Sequence, residues 1–346
     1  MVGRAALAAA REALLGAGLG TRGGGPRTGV VLGVGLGGLH AWERAVLAAE
    51  RGASVSPADS VASSPAAAPA EVARLAGATG PCRGVSTACA GGTDAIGDAA
   101  ALIRRGRCDV VLAGGVEAGA TATNAAGLRR SGALSAAGAA RPFDAGRDGL
   151  VLAEGAAVLV LEEAGYAAAR GARPLAEILG AASACDAGHP TAPRADGAML
   201  AACGREALDE AGVAAGDLAA VDAHATGTRA GDAAEARALD AIFGGALPPV
   251  VATKGATGHA MAAAGALDAV VAVLALQRGL LPPVAGLRTV DPELGLDPAC
   301  LGLADSGASR EGEFHSNGAR AFAPGPVLSL SAGFGGYNAA LVLAPI

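Results

Sequence analysis

Aromatic side chains are nearly missing from this sequence. Five Phe, two Tyr and one Trp make up 2% of 346 residues, while 52% are hydrophobic and 55 are Gly. A core with so few rings has to be packed from Ala, Val and Leu with backbones in close approach. That excludes an aromatic-rich β-sandwich and points to layered α/β packing. An excess of basic charge is lacking as well: 26 Lys and Arg stand against 32 Asp and Glu, a formal net charge of −6. No basic footprint for nucleic acid is present. Cysteine is sparse and unpatterned, six residues with no CxxC and no Cys/His ligand spacing. This argues against a metal site or a disulfide framework and fits a reducing cytoplasm. Disorder is excluded by the apolar fraction.

Hydrophobic runs long enough for a membrane are not expected either. The start, "MVGRAALAAAREALLGAGLG", is interrupted by Arg11 and Glu12 and reads as an amphipathic helix ending at glycines rather than a signal peptide. The longest later run, "ALDAVVAVLALQRGLLPPV", carries Asp268 and Arg278, so it reads as too short and too charged to span a bilayer.

What is there is a strand–helix alternation. Strand-type runs fall at 28–38, 82–89, 109–115 and 155–163, with a helix from about Gly92 to Arg105. After Glu163 the pattern begins again: 174–183, a helix over 197–212, 218–228, a helix near 233–243, 249–255, a long helix from about 260 to 278, then "VLSLSAGFGG" and "AALVLAP". The alternation predicts buried sheets covered by helices, and the matching element counts predict a duplicated layout. Two segments read as irregular, "SVSPADSVASSPAAAPAE" at 54–71 and the Gly/Pro/Asp-rich stretch 291–325.

Three turns share one format, in which a β-type run ends at a reactive side chain and small residues follow. They hold Cys89 in "STACAGG", His224 in "DAHATGT" and His259 in "TKGATGHAMAAAGA". Only five histidines occur in the chain, and two of them stand in such turns. Open α/β sheets place their chemistry at the carboxyl ends of strands, where these turns would converge.

With those segments in order, the chain resembles the β-ketoacyl synthase family of the thiolase superfamily, in its elongating Cys-His-His form. "VSTACAGGTDAI", "DVVLAGGVEAG", "RPFDAGRDGLVLAEGAAVLVLEE", "DAHATGTRAGDAAEA", "TKGATGHAMAAAGA" and "GFGGYNAAL" follow the family's sequence of motifs. A thiolase would carry a second cysteine in the late Gly-rich turn, which here reads "AGFGG". The resemblance implies a thiolase-like α/β fold of two similar halves in a layered α-β-α-β-α architecture. The halves would be 1–163, with the nucleophile, and 164–346, with the two active-site histidines.

The implied activity is decarboxylative Claisen condensation of a Cys-bound acyl group with a malonyl thioester, in fatty-acid or polyketide-type biosynthesis. Cys89 would carry the acyl group, and His224 and His259 would serve the malonyl carbonyl. Lys254 and Asp268 would be a supporting pair, one methylene shorter than the family's Lys–Glu. Phe334, with the Cys89 N–H, would form the oxyanion hole, and Thr226 and Thr228 would contact the pantetheine arm. No cofactor is implied beyond substrates carried on phosphopantetheine. The implied partners are an acyl carrier protein, malonyl and acyl thioesters, and a second ketosynthase chain in a homodimer or heterodimer. Neither nucleic acid nor membrane is expected. A ketosynthase-like acyltransferase working through Cys89, or a non-catalytic partner subunit, are the alternatives left open.

The chain departs from the family pattern in four places. It begins at a helix, where family members usually open with a strand and a Gly-rich turn. Ala225 stands where a glycine usually follows the first histidine. Ala332 and Tyr337 replace a phenylalanine and a threonine, implying a reshaped acyl pocket and a specialised pathway. "GASVSP" lacks the usual basic residues for an acidic carrier, for which "RRGRC" at 104–108 and Arg129–Arg130 are the candidate substitutes, beside their reading as a solvated face.

Overall fold

The computed structural model describes residues 2–303 and 318–346. Residues 304–317 of the expected irregular stretch lie outside the described residues. The chain forms two compact units. One comprises residues up to Asn124 with Glu154–Pro174 and Ala260–Val270; the other comprises Ala125–Ala153, Leu175–His259 and Val271–Ile346. The sequence boundary at 163/164 thus compares with a change of unit after Pro174, and each unit borrows a segment from the other half of the chain.

The first unit is built on strands β1 (Thr28–Val34), β2 (Cys82–Val85), β3 (Val110–Glu117) and β4 (Gly155–Glu162), in the order β2-β1-β3-β4. β1 runs parallel to β2 and β3, and β4 is antiparallel to β3. Val30, Val31, Leu32 and Val34 of β1 are fully buried, as a central parallel strand covered on both faces requires. The first helix, Val2–Gly16, buries Val2, Ala6, Ala10 and Leu14 on one stripe, and these join Val30, Leu32 and Leu112 in a single cluster.

The second unit holds β5 (Glu177–Cys185), β6 (Ala220–Asp222), β7 (Val250–Val251), a two-stranded ribbon of β8 (Leu280–Leu281) and β9 (Arg320–Ala321), and β10 (Val327–Gly333) and β11 (Tyr337–Ala344). Its main sheet has the order β5-β11-β10-β6-β7. β7, β6 and β10 are parallel, β11 is antiparallel to β10, and β5 is antiparallel to β11. Ala, Val and Leu fill its core, and among the described residues Phe143 and Phe243 are the aromatics buried in it.

The expected duplication is visible as topology. In each unit the earliest parallel strand (β1, β6) lies between the next one (β2, β7) and a later one (β3, β10), which pairs with an antiparallel strand (β4, β11). Cys89 follows β2, and His259 follows the corresponding β7.

Two sequence expectations need correction. The stretch 54–71 is not a loop: Pro57–Ala62 and Ala67–Ala76 are helices, the first with Ser56 as N-cap and proline in its first turn. Serine and proline there are start signals rather than breakers. Counted from Met261 across a 3-10 turn, the stretch to Arg278 is long and apolar enough to cross a bilayer by length and composition. Its apolar surface has another use, since 61% of that window is buried within the protein, as in a core helix.

Candidate active site

Cys89 sits in a 3-10 turn, Ala88–Ala90, which leads directly into the helix Gly91–Arg104. The residue before it, Ala88, has φ +48°, a left-handed backbone that an L-residue adopts only when its surroundings hold it there. Thr87 donates its hydroxyl to Asp94 in the first helical turn, tying the two ends of the bend together. Cys89 is 5% exposed. A Cβ on Gly92 would stand 2.8 Å from the Ala262 carbonyl oxygen and 2.9 Å from the Ala266 nitrogen, so only glycine lets the helix start this close to its neighbour.

In the second unit, His224 and His259 face each other edge-on, with ring centroids 5.3 Å apart and planes at 86°. His224 leaves the end of β6. Its N–H donates to Glu235 Oε1 at 2.6 Å, and the N–H of Ala225 donates to Glu235 Oε2 at 2.7 Å. Asp232, one turn earlier on the helix Arg229–Phe243, accepts from Gly227 at 3.0 Å and Phe143 at 2.8 Å. Two carboxylates three residues apart therefore hold the whole His224–Gly227 turn, including Ala225 at φ +21°. His259 is fixed by strand-like pairing: its N–H donates to Val151 O at 2.7 Å, and Ala153 N–H donates to its carbonyl at 3.0 Å.

Both imidazoles are held neutral. Burial, reinforced by the charge of Lys254, pushes His259 down to about 3, and burial, Lys254 and His259 push His224 well below its ordinary value. The Nδ1 atoms of both rings are buried without a hydrogen-bond partner among the described residues. Lys254 itself is 1% exposed. Burial raises Asp232 to about 6, against the N–H groups of Phe143 and Gly227 and the Arg147 charge, which favour the anion. Glu235 is raised to about 7, again by burial, against its two N–H donors. Arg147 lies 2.5 Å from Asp291 and 3.6 Å from Asp232.

Of the residues singled out from sequence, the structure brings His224, His259 and Lys254 into one electrostatic cluster. Asp268 is buried in the helix Ala264–Arg278 and belongs to the first unit, whereas Lys254 belongs to the second. Thr228 caps the helix that carries Glu235, accepting from Gly231 at 3.2 Å, and its hydroxyl lies 3.1 Å from that of Thr226. Phe334 packs among Leu128, Ala133, Leu134, Leu150 and Leu152. The Gly335 N–H donates to Pro190 O at 2.7 Å, tying the loop after Phe334 to the segment holding His189. His189 is a loop residue, its Nδ1 accepting from Thr191 and Ala192. Ala332 is half-buried, and the Tyr337 ring lies over Gly335.

Sequence reading missed Asp232, Glu235 and Arg147. On a helix Asp232 and Glu235 look like a solvated face. The available signal was an acidic pair at i and i+3 just after the histidine turn.

Three parallel strands edged by antiparallel ones, occurring twice in one chain, define an α/β protein of the thiolase-like class. Within that class the chain belongs to the β-ketoacyl synthase family: residues 2–167 match its N-terminal domain and residues 175–288 its C-terminal domain. An actinorhodin polyketide beta-ketoacyl synthase of Streptomyces coelicolor is 41% identical over 286 residues, 81% of this chain and 58% of that relative. The chain thus spans under three-fifths of that relative's length. Among solved structures, the ishigamide ketosynthase/chain length factor matches with a TM-score of 0.88 at 34% identity, covering 100% of this chain and 82% of that one. A type II polyketide synthase acyl-carrier protein in complex with its ketosynthase bound to the hexaketide matches with a TM-score of 0.90 at 30% identity, covering 100% and 85%.

Proposed function

We propose that the chain acts as an elongating ketosynthase of the Cys-His-His type, extending a Cys89-bound acyl group with a malonyl thioester in a specialised, polyketide-like pathway. The observation that carries this reading is the pair of buried, neutral imidazoles with their rings 5.3 Å apart. A neutral imidazole can donate one hydrogen bond without bringing a full charge, which is what a developing enolate oxygen requires.

Cys89 thiolate attacks the acyl thioester carbonyl, the bond to the carrier sulfur breaks, and the departing carrier thiolate takes up from solvent the proton that Cys89 released on ionising. Position at a helix start favours the thiolate. The N–H groups of Cys89 and Phe334 receive the oxyanion. Loss of CO2 from the malonyl group breaks the carbon–carbon bond and leaves its electron pair in an enolate, whose oxygen accepts from His224 and His259. The enolate carbon then attacks the thioester, the Cys89 thiolate departs, and a 3-ketoacyl thioester two carbons longer remains. The Lys254 charge reinforces burial in holding the imidazoles neutral, with Asp268 as the expected companion of Lys254. Thr226 and Thr228 line the approach of the phosphopantetheine arm, and the scheme calls on no other cofactor.

The acyl carrier protein and the ketosynthase pairing named for the similar structures support an acidic carrier and a related or identical chain as partners. β2, whose residues Cys82, Arg83 and Gly84 are exposed at a sheet edge, is the surface proposed for pairing. Six free thiols favour a reducing, cytoplasmic setting.

The test separates the half-reactions. Cys89→Ala is expected to abolish chain extension, followed by product mass, while malonyl thioester decarboxylation persists. His224→Ala or His259→Ala is expected to lower decarboxylation about 100- to 1000-fold and leave acyl loading of Cys89 intact. Chain extension by Cys89→Ala would place the nucleophile elsewhere. Normal decarboxylation by His224→Ala would favour an acyltransferase instead.

A further inference from the structure

Glu117 is a buried carboxylate that the scheme above leaves unused. It ends β3 and is 1% exposed. One oxygen accepts the N–H of Leu36 at 3.1 Å and the other that of Ala118 at 3.2 Å, and the N–H groups of Gly35 and Ala262 also donate to it. Four backbone donors from three separate segments thus meet one side chain. An ionised carboxylate is acceptor-only with about four lone-pair sites, so it can satisfy such a set, whereas an amide or a protonated carboxyl turns a donor toward it. Burial raises the carboxyl's pKa and the four N–H bonds oppose that rise.

The segment reached through Ala262 is the 3-10 turn Met261–Ala263, with Met261 at φ +48°. This turn packs directly on the turn that holds Cys89. Ala262 also fills the space left by missing side chains at Gly91 and Gly92, the first two residues of the helix behind the thiol, and at Gly115. A displaced Ala262 would therefore be felt at the start of that helix. Gly35 has no room for a Cβ because Glu117 occupies the place.

We propose that Glu117 is a positioning residue for the nucleophile. As an anion it pins the Leu36 and Ala262 segments, fixing the backing on which the Cys89 turn rests, and so sets how fast Cys89 takes up an acyl group. This rests on the reading of Cys89 as the acyl acceptor.

The experiment follows acylation of the full chain by a short acyl thioester of N-acetylcysteamine, using intact mass. It compares the unaltered protein with Glu117→Gln and Glu117→Asp. Thermal melting reports the fold, and amide hydrogen exchange reports the segments 35–36 and 261–263. Glu117→Gln is expected to keep its fold, exchange faster at Leu36 and Ala262, and acylate Cys89 about tenfold or more slowly. Iodoacetamide should label exposed Cys185 at an unchanged rate. Glu117→Asp, still an acceptor-only anion, should fall between the two. A folded Gln variant acylating at the unaltered rate overturns the proposal, as does an Asp variant no faster than Gln. Should the Gln variant not fold, Glu117→Asp decides alone: slower acylation with faster Ala262 exchange supports the proposal, and unaltered values in both overturn it. Failure of the unaltered protein to form acyl-Cys89 overturns the underlying reading instead.

Discussion

The cysteine turn and the histidine turn solve different problems with different materials. Around Cys89 the neighbours are Ala and Gly, and the backbone of Ala262 and Ala266 comes close enough to exclude any Cβ at Gly92. Around His224 and His259 the neighbours are buried ionisable groups: Lys254, Asp232, Glu235 and, behind them, Arg147 with Asp291. A nucleophile that accepts an acyl chain needs steric room and a fixed helix start. Donors to an enolate need a fixed protonation state. Packing supplies the first and electrostatics the second, so the two sites should fail differently when altered.

The largest expected effect lies at the histidine turn. Glu235→Ala leaves two buried N–H groups, of His224 and Ala225, without an acceptor, at about 1–3 kcal/mol each. Malonyl decarboxylation should fall about tenfold to hundredfold as the imidazole shifts, while Cys89 alkylation stays unchanged. Equal loss of both would erase the distinction between the sites. Gly92→Ala probes the other side. Its methyl would meet backbone atoms at 2.8 and 2.9 Å, so about 1–3 kcal/mol of stability should be lost in urea titrations. Cys89 labelling should slow, and the imidazole resonances should hardly move.

A smaller effect is a shift of titration. His259 has a folded pKa of about 3 against an ordinary 6.5. Its neutral form therefore adds stability that is whole above 6.5 and is lost as pH falls through 3. Lys254→Met removes one of the two causes and should raise that pKa, moving the acid limb of decarboxylation to higher pH. A limb that stayed in place would leave burial as the sole cause. The smallest effect is expected at Ala225→Gly. Relief of an L-residue at φ +21° should raise stability by up to about 1 kcal/mol, read from the melting curve, with both half-reactions unchanged. A lower melting temperature would show that the alanine is not strained.

Much of this was legible in the chain. β1, β3 and β4 are runs of Val and Leu bounded by Gly or charge, and period and length suffice for them. The helix Gly91–Arg104 and the helix from Arg229 fell within a few residues of expectation. Cys89, His224 and His259 stood out because each reactive side chain follows a strand and precedes small residues. The helices within 54–71 were misread because Ser, Pro and Ala suit loops and helix starts alike, and Ser56 capping Ala58 decides between them. Glu117 carried no signal, and the acidic pair Asp232 and Glu235 reads equally as a solvated helix face, since a carboxylate in sequence carries no sign of whether water or N–H groups will surround it.

By itself the sequence determined the alternation of strands and helices, the repeated layout, the aromatic-poor core and the three reactive side chains. These depend on local pattern and on residue chemistry, which the order of residues carries directly. Only the tertiary structure decided that residues 260–270 pack in the first unit and 125–153 in the second, that both imidazoles are neutral, and that buried carboxylates hold the strained turns. Those outcomes depend on desolvation and on donors that folding gathers round a side chain, as with Glu117 and the Leu36 N–H 81 residues away, and no local pattern encodes such an environment.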